Sequence, residues 1–451
     1  YKTGPIPGLG GRALDWPRGK VYGGSSAINF MIYIRGNPND FDRWRDAGNP
    51  GWGYEDVLPL FKKSERNTCF TDSFHGTTGE LFVSRSPCES RLGQAFLSAA
   101  ERSGFPASAS WDFNGKQQEG VASFYQYTVR DDERCSAADA FLTPFLSTRT
   151  NLVAKPQCLV SRVIVDSSQA RAVEFTAQDG SQQTAVADRE VILCAGAVES
   201  PRLLMLSGIG PADHLRSHQI DVVADIPGVG ENLHDHPYVP YEFDAKEAPP
   251  AGAFPCGGLF LKSGRAPDPS TVDLQFLPYS YRGPNGSPRL AFFVTLVAPQ
   301  STGRIRLASA DPKEPPQILP NYLDHPEEMR TLCDGIEIAR TIALSKPLSS
   351  HLSFQSAASL PQATDTASVE RVIRKTASTL YHPVGTCKMG SDELAVVDSE
   401  LRVHGVAGLR IVDASIMPSI ITGNTNAACI MIGEKAANLI LNSGHQEHLQ
   451  S

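Results

Sequence analysis

Residues Arg189 to Gly210 read REVILCAGAVESPRLLMLSGIG, and the change of period along this stretch sets the fold class. Val191, Ile192 and Leu193 stand in an almost continuous apolar run, which predicts a strand buried on both faces, as in parallel sheets. Small residues follow at Ala195, Gly196 and Ala197, and Leu203, Leu204 and Leu206 then stand at helical spacing. A buried strand that ends on small residues and turns into a helix lets a nucleotide approach the backbone closely. The same text also fits plain packing of a strand against a helix. It therefore predicts an α/β layer and leaves the ligand open.

Toward the N-terminus, RGKVYGGSSAINFMIYIRGNPNDFDRW (Arg18–Trp44) groups Gly19, Gly23, Gly24, Ser25, Ser26 and Asn29 ahead of an apolar run. Backbone amides in so small a loop can come close to a flat polar ligand, with the serines and Asn29 adding side-chain donors. A turn that caps a helix at Ser25 or Ser26 fits equally well. The opening Tyr1–Lys20 has no helical or strand period and reads as an extended segment along the surface. Gly8, Gly10 and Ala13 match GxGxxA in form only, because no buried strand precedes them and no helix follows.

Helical spacing appears from Tyr54 (Val57, Leu60, Phe61) and from Arg91 to Ser103 (Leu92, Phe96), the latter stopped by Gly104, while Ser136 can cap a third helix. Ala122–Val129 alternates like a half-buried strand, and Asn151–Val165 with Ala170–Thr176 reads as a meander around a Gln-Asp-Gly turn. From Tyr238 to about Ser350 the pattern changes to VDLQFLP, RLAFFVTLVAP and STGRIRLASAD, the strands of one antiparallel sheet. A helix beginning at Asp324 and Pro326 should back it through Met329, Leu332, Ile336, Ala339 and Ala343. This divides the chain into 1–237, 238–375 and 376–451, the last returning to the first domain.

Composition narrows the function. With 451 residues, 41% hydrophobic, 20% charged and a net charge of −8, the chain has no basic field for nucleic acid or an anionic membrane surface. No apolar run approaches the ~20 residues that cross a bilayer, so the chain reads as soluble. Nine cysteines without CxxC spacing read as free thiols, which suits a reducing compartment or an organelle lumen. Tyr1 in first place reads as a processed or incomplete chain, with any targeting peptide out of view. His234, Asp235 and His236 lack a third ligand at a metal-binding interval, so no metal is expected and Asp235 reads as a turn residue before Pro237.

The reactive chemistry falls in Tyr381–Ala428, where YHPVGTCKMG and GNTNAA put His382 and Asn424 in loops next to short apolar runs. Ligands in α/β sheets sit beyond strand ends, so an imidazole and a carboxamide there can address one reacting atom. The pair reads as an acid/base site.

Taken together, GKVYGGSSAINFMIYIRGNPNDFD, GAVESPRLLMLSGIG, VGENLHDHP, HPVGTCKMG and LRVHGVAGLRIVDASIMP resemble the glucose-methanol-choline (GMC) oxidoreductases over nearly the whole chain. The resemblance implies an FAD-binding Rossmann-like α/β domain with an α+β second domain, whose antiparallel sheet binds substrate. It implies that Gly23, Gly24, Ser25 and Asn29 lie along the isoalloxazine and that Val160 touches the adenine region. Asp413 and Ala414 would approach the pyrophosphate and Asn426 and Ala427 the pyrimidine edge, with Ala195 and Gly196 among the residues that bind the cofactor. His382 would be the base that takes the proton of a small alcohol, and Asn424, as in choline dehydrogenase-like members, would hold the alkoxide. Ile28 stands where covalently flavinylated members carry histidine, which implies noncovalent FAD.

Three departures accompany the likeness: Tyr22 replaces an aliphatic residue, the segment after Pro237 is short, and the family's strand–GxGxxG–helix unit is absent ahead of Tyr1. The last implies that an N-terminal fragment or a protein partner completes the FAD site. A flavin-free structural subunit and, through Cys256, a fatty acid photodecarboxylase are the competing readings.

Overall fold

The computed structural model describes residues 1–85, 90–247, 255–353 and 365–448. Among them, Pro237–Ala245, Leu274–Arg282 and Pro288–Leu296 form the centre of a six-stranded antiparallel sheet, completed by Leu259–Leu261, Leu352–Ser353 and Ser378–Thr379. Pro237–Ala245 buries every second residue, as a strand with one face on the core should. The helix Pro326–Leu344 packs on this sheet with the expected stripe of Met329, Leu332, Ile336, Ala339 and Ala343 buried, although His325 rather than Asp324 is its cap. Contact is close: a Cβ at Gly335 would lie 2.5 Å from Val294 Cγ1 and 3.1 Å from Leu274 Cδ2.

Register assigns the other face. Gln275 stands opposite Thr295, Leu277 opposite Phe293 and Tyr279 opposite Ala291. With side chains alternating along each strand, these six residues share the face turned away from the helix. That face borders the site described below.

The strand foreseen in Arg189–Cys194 is Val191–Leu193, paired in parallel with Leu409–Ile411 and followed by the helix Gly196–Leu206. It is not buried on both sides. Ile192 is 40% exposed and Cys194 is exposed, because one face of the strand borders a large cavity. Leu159–Asp166, Gln169–Thr176 and Gln182–Val186 form the meander, with the Gln178-Asp179-Gly180 turn between the last two.

Two readings need correction. Ala122–Val129 is buried at every residue and pairs as strand only at Gln126–Tyr127 and from Val129. Phe124 belongs to the main apolar cluster, whereas Tyr125 and Tyr127 belong to a second one, so both faces of the segment are covered. Arg304–Arg306, inside STGRIRLASAD, pairs with Gln317–Leu319 in a separate two-stranded sheet.

Tyr54–Ser64 and Arg91–Arg102 form helices as expected, and Ser136 caps Ala137–Phe141 in a reciprocal arrangement with Asp139. Gly8 serves packing, since a Cβ there would lie 2.0 Å from the Tyr322 carbonyl oxygen. The opening segment is irregular, yet Ile6, Leu9 and Trp16 anchor it in the core. No helix among the described residues is long and apolar enough to cross a membrane.

A buried ionic cluster braces the N-terminal half. Arg35 pairs with Glu65, and His75 bonds Glu65 through Nδ1 at 3.0 Å and Asp112 through Nε2 at 2.7 Å. Burial alone would lower the His75 pKa, but the hydrogen bonds to Asp112 and Glu65 outweigh it and raise the value to about 9. Asp72, His75 and Asp112 bring ligand-type atoms within 4.8 Å of one another. A doubly protonated His75 nevertheless has no lone pair to give a cation at neutral pH.

Candidate active site

A cavity of about 1970 Å³ lies between the parallel pair and the outward face of the antiparallel sheet. It is larger than the ~300–1,000 Å³ of ordinary ligand pockets. Gly23, Gly24, Ser25, Asn29, Val160, Ala195, Gly196, Asp413, Ala414, Asn424, Asn426 and His382 all line it. Ala427 does not: it is 2% exposed and packed in the core, the first turn of the helix Asn426–His448 carrying its side chain inward.

The glycine loop owes its shape to left-handed backbone at Gly23 (φ 86) and Gly24 (φ 54), where a side chain would be strained. A Cβ at Gly24 would meet nothing within 4 Å, so the backbone there stands open to the cavity. The loop's polar side chains are largely engaged in holding it. Ser25 Oγ accepts from Gly19 N at 3.2 Å, and Ser26 Oγ accepts from Ala137 N at 2.9 Å. Asn29 Oδ1 accepts from Arg134 at 2.7 Å and from Met31 N at 3.0 Å. The loop thus forms a 3₁₀ turn of its own over Gly24–Ala27 and also ties down the helix Ala137–Phe141, more than 100 residues away.

At the end of Val191–Leu193, Gly196 again has a positive φ (83), and a Cβ there would likewise meet nothing within 4 Å. Its N–H donates to Asp413 Oδ2 at 2.8 Å, as does Ser200 Oγ at 2.5 Å, and Ser415 N donates to Asp413 Oδ1 at 2.8 Å. The Asp413 carboxylate thus clamps the ends of the two parallel strands together. The carboxylate also stands at the N-terminus of the helix Gly196–Leu206, where acidic groups are favoured, and takes that helix's first N–H.

His382 sits in a loop with little freedom. Tyr381 holds a left-handed φ of 64, which aims the following residue, and Arg18 donates to its carbonyl at 2.7 Å. His382 N donates to Asp235 Oδ1 at 2.7 Å, while the Tyr322 and Thr379 hydroxyls donate to Asp235 Oδ2. Asp235 is therefore more than a local turn residue: it ties the His382 loop to two other parts of the chain.

One tautomer assignment of the two neutral rings satisfies their side-chain contacts. His236 Nε2 lies 3.1 Å from the Val297 carbonyl oxygen, which can only accept, so Nε2 carries the proton and Nδ1 is left as an acceptor. His382 Nδ1, 3.0 Å away, must then donate, which leaves a lone pair on His382 Nε2. Asn424 Nδ2 lies 3.3 Å from that nitrogen, and Gln275 Nε2, bonded to Tyr125 Oη at 3.0 Å, approaches Asn424 Oδ1 at 3.4 Å. Thr422, two residues before Asn424, gives both its N–H and its hydroxyl to the buried Asp40.

Burial, with His236 and Arg18 nearby, holds the His382 pKa well below the ordinary imidazole value, and burial takes His236 down to about 3. Both rings are neutral at physiological pH. The arrangement can accept one proton at His382 Nε2 and offer one amide N–H beside it.

Sequence reasoning found His382 and Asn424 but not His236, Asp235 or Gln275. The HDH triplet was visible, but its partners are 144 to 147 residues away for Thr379 and His382, and nothing in VDLQFLP marks Gln275. Cys256 is buried and absent from the cavity wall, where Pro255 stands instead, so the photodecarboxylase reading has no support there. The shortened segment after Pro237 falls partly on 248–254, outside the described residues.

Models of the GMC oxidoreductase family match residues 2–238 and 299–433. The chain is 39% identical to mitochondrial choline dehydrogenase of Mus musculus, across 99% of this chain and 78% of that protein. It is also 39% identical to an alcohol dehydrogenase (acceptor) of Pseudomonas putida, across 98% of this chain and 85% of that one. Among solved structures, pyridoxine 4-oxidase from Mesorbium loti aligns with a TM-score of 0.87 at 30% identity, covering 97% of this chain and 87% of that one. An FAD-dependent oxidoreductase from Chaetomium thermophilum shares the fold, with a TM-score of 0.89 at 22% identity over 99% and 90%.

Proposed function

The chain belongs to the GMC oxidoreductase family, and on that premise we propose that it is an FAD-dependent dehydrogenase or oxidase of an alcohol, with His382 as base and Asn424 as alkoxide clamp. The observation that supports this reading is the placement of His382 at the cavity, its Nδ1 turned to His236 at 3.0 Å and its Nε2 3.3 Å from Asn424 Nδ2, beside room for a dinucleotide and a substrate.

The residues fit the cofactor on two counts. Gly24 and Gly196 leave open backbone where a Cβ would otherwise fill space, and a helix N-terminus stands beside Gly196. Gly23, Gly24, Ser25 and Asn29 would hold the flavin ring noncovalently, Ala195, Gly196, Asp413 and Ala414 the pyrophosphate, Val160 the adenine and Asn426 the pyrimidine edge. When bound, FAD supplies the hydride acceptor.

His382 Nε2 takes the hydroxyl proton as the hydride leaves the carbinol carbon. Burial depresses the His382 pKa, so the ring is neutral and ready to accept that proton at neutral pH. Asn424 Nδ2 donates to the developing alkoxide, a neutral donor fixed in direction because Gln275 occupies its carbonyl. Asp235 and His236 hold the base in place and in the right tautomer.

The test is anaerobic stopped-flow reduction of the flavin by alcohol, after the visible spectrum of the natively purified protein has shown flavin. Replacing His382 by alanine should slow reduction by about 10² or more. Unchanged reduction kinetics would remove His382 from the mechanism, and full-length native protein without flavin would refute the enzyme reading.

A further inference from the structure

We propose that the substrate is an uncharged alcohol bearing an aromatic or bulky hydrocarbon group, and that a quaternary ammonium alcohol of choline's type is discriminated against. This rests on the alcohol-oxidation reading and specifies its substrate class.

The sheet face beside the acid/base pair sets the preference. Gln275, which reaches Asn424, shares its strand face with Leu277 and Tyr279, and Phe293 stands opposite Leu277 on the neighbouring strand. Phe30 leans on Tyr279 with ring centroids 5.4 Å apart, and Tyr279 on Phe293 at 5.7 Å. All three rings line the cavity, and the Phe30 side of the wall remains 45% exposed. A substrate whose carbinol carbon sits at His382 Nε2 and Asn424 Nδ2 therefore extends its remainder along an apolar, aromatic wall.

A trimethylammonium group is stabilised most by a carboxylate or by several ring faces that enclose it within ~6 Å, and only weakly by one ring face. Among the described residues, no acidic side chain on the cavity wall lacks a partner. The rings touch at a tilt as one continuous wall, which leaves no slot between them. The acidic residues lining the cavity are Glu190, Glu199, Asp413 and Glu434. Glu190 is paired with Arg410, Glu199 with Arg202 and Glu434 with Lys63, while Asp413 is covered by Gly196 and Ser200.

The Arg18 guanidinium lines the cavity beside His382, where it donates to the Tyr381 carbonyl at 2.7 Å, and it disfavours a second cation there. The undescribed segments 248–254 and 354–364 contain no ionisable residue. Glu89, in the remaining internal one, precedes a helix none of whose residues lines the cavity.

Choline and 3,3-dimethylbutan-1-ol differ by a nitrogen-to-carbon exchange that removes the charge and keeps the shape, so their ratio reads charge alone. With flavin-loaded enzyme, kcat/KM for flavin reduction should favour the hydrocarbon alcohol by at least about tenfold, with benzyl alcohol equal to it or better. Equal or better turnover of choline overturns the proposal. Phe30→Ala, at a half-exposed ring, should raise KM for benzyl alcohol about tenfold and leave that for choline unmoved. An equal change for both alcohols also overturns it.

Binding separates this inference from the reading beneath it. In His382→Ala, perturbation of the flavin absorbance should show tighter binding of the hydrocarbon alcohol even if no alcohol is turned over. Tighter choline binding there refutes the substrate assignment, whereas tighter hydrocarbon binding without turnover in the unaltered enzyme refutes only the alcohol-oxidation reading.

Discussion

His75 and His382 are both imidazoles inside the protein with partners at both ring nitrogens, and their partners drive them in opposite directions. His75 lies between the carboxylates of Glu65 and Asp112 and is raised to about 9, so it serves as a permanent cation in a brace. His382 meets a neutral imidazole and a neutral amide, with Arg18 nearby, and its pKa falls well below the ordinary value. Burial acts against the charged form in both cases, and the presence of an acceptor carboxylate decides the outcome. At His382 the protein withholds that carboxylate, and the ring stays neutral. The nearest one, Asp235, is turned to the backbone N–H of His382 instead of its ring.

The contrast breaks most severely at Glu65. Glu65→Gln leaves the buried Arg35 without its carboxylate and His75 with Asp112 alone, which should destabilise the protein by about 3–5 kcal/mol. Urea unfolding followed by fluorescence measures it, and a loss below about 1 kcal/mol would mean that the cluster is not a structural brace. At the other site, Asn424→Ala should lower flavin reduction by alcohol about 10²-fold while the melting temperature holds, because a donor to the alkoxide is lost rather than a scaffold contact. A reduction rate within a few-fold of the unaltered enzyme would remove the amide from the reaction.

Gln275→Leu keeps the volume and frees the Asn424 carbonyl. Reduction should fall roughly tenfold, the equivalent of one lost hydrogen bond, with recovery in Gln275→Glu excluded because a carboxylate offers no donor at neutral pH. Equal activity in Gln275→Leu would show that Asn424 orients itself.

The smallest effect concerns pH. For His75 the folded pKa is raised, so its contribution to stability is fully present below about 6.5 and is lost as pH rises through about 9. For His236, depressed to about 3, the contribution is present above about 6.5 and is lost as pH falls from there. The unfolding midpoint should therefore decline on both sides, and His75→Gln should remove the alkaline decline alone. A persistent alkaline decline in that variant would assign it to another group.

His382 and Asn424 were legible because each stands in a short, self-contained loop motif whose residues are adjacent in the chain. The strand-to-helix passage at Val191–Leu206 was legible for the same reason, apart from Ile192, whose exposure depends on a cavity built by distant segments. His236 and Gln275 were not, since a histidine on a loop and a glutamine on a strand acquire meaning only from partners 146 and 149 residues away. Asp413 shows the intermediate case: its position near the nucleotide end was expected, but its hydrogen bonds to Gly196 and Ser200 are a property of the closed fold.

The contact between His236 Nε2 and the Val297 carbonyl has a bearing on how such an enzyme can diverge. Val297 directly follows the strand that carries Phe293, so His382, through His236, takes its proton setting from main chain, while the aromatic wall of the cavity is made of side chains on the same sheet. Exchanging side chains at 279 or 293 leaves that main-chain carbonyl where it is. Insertions or bulges within the strand do not. New alcohols should therefore be reached by substitution on this sheet far more readily than by changes in its length.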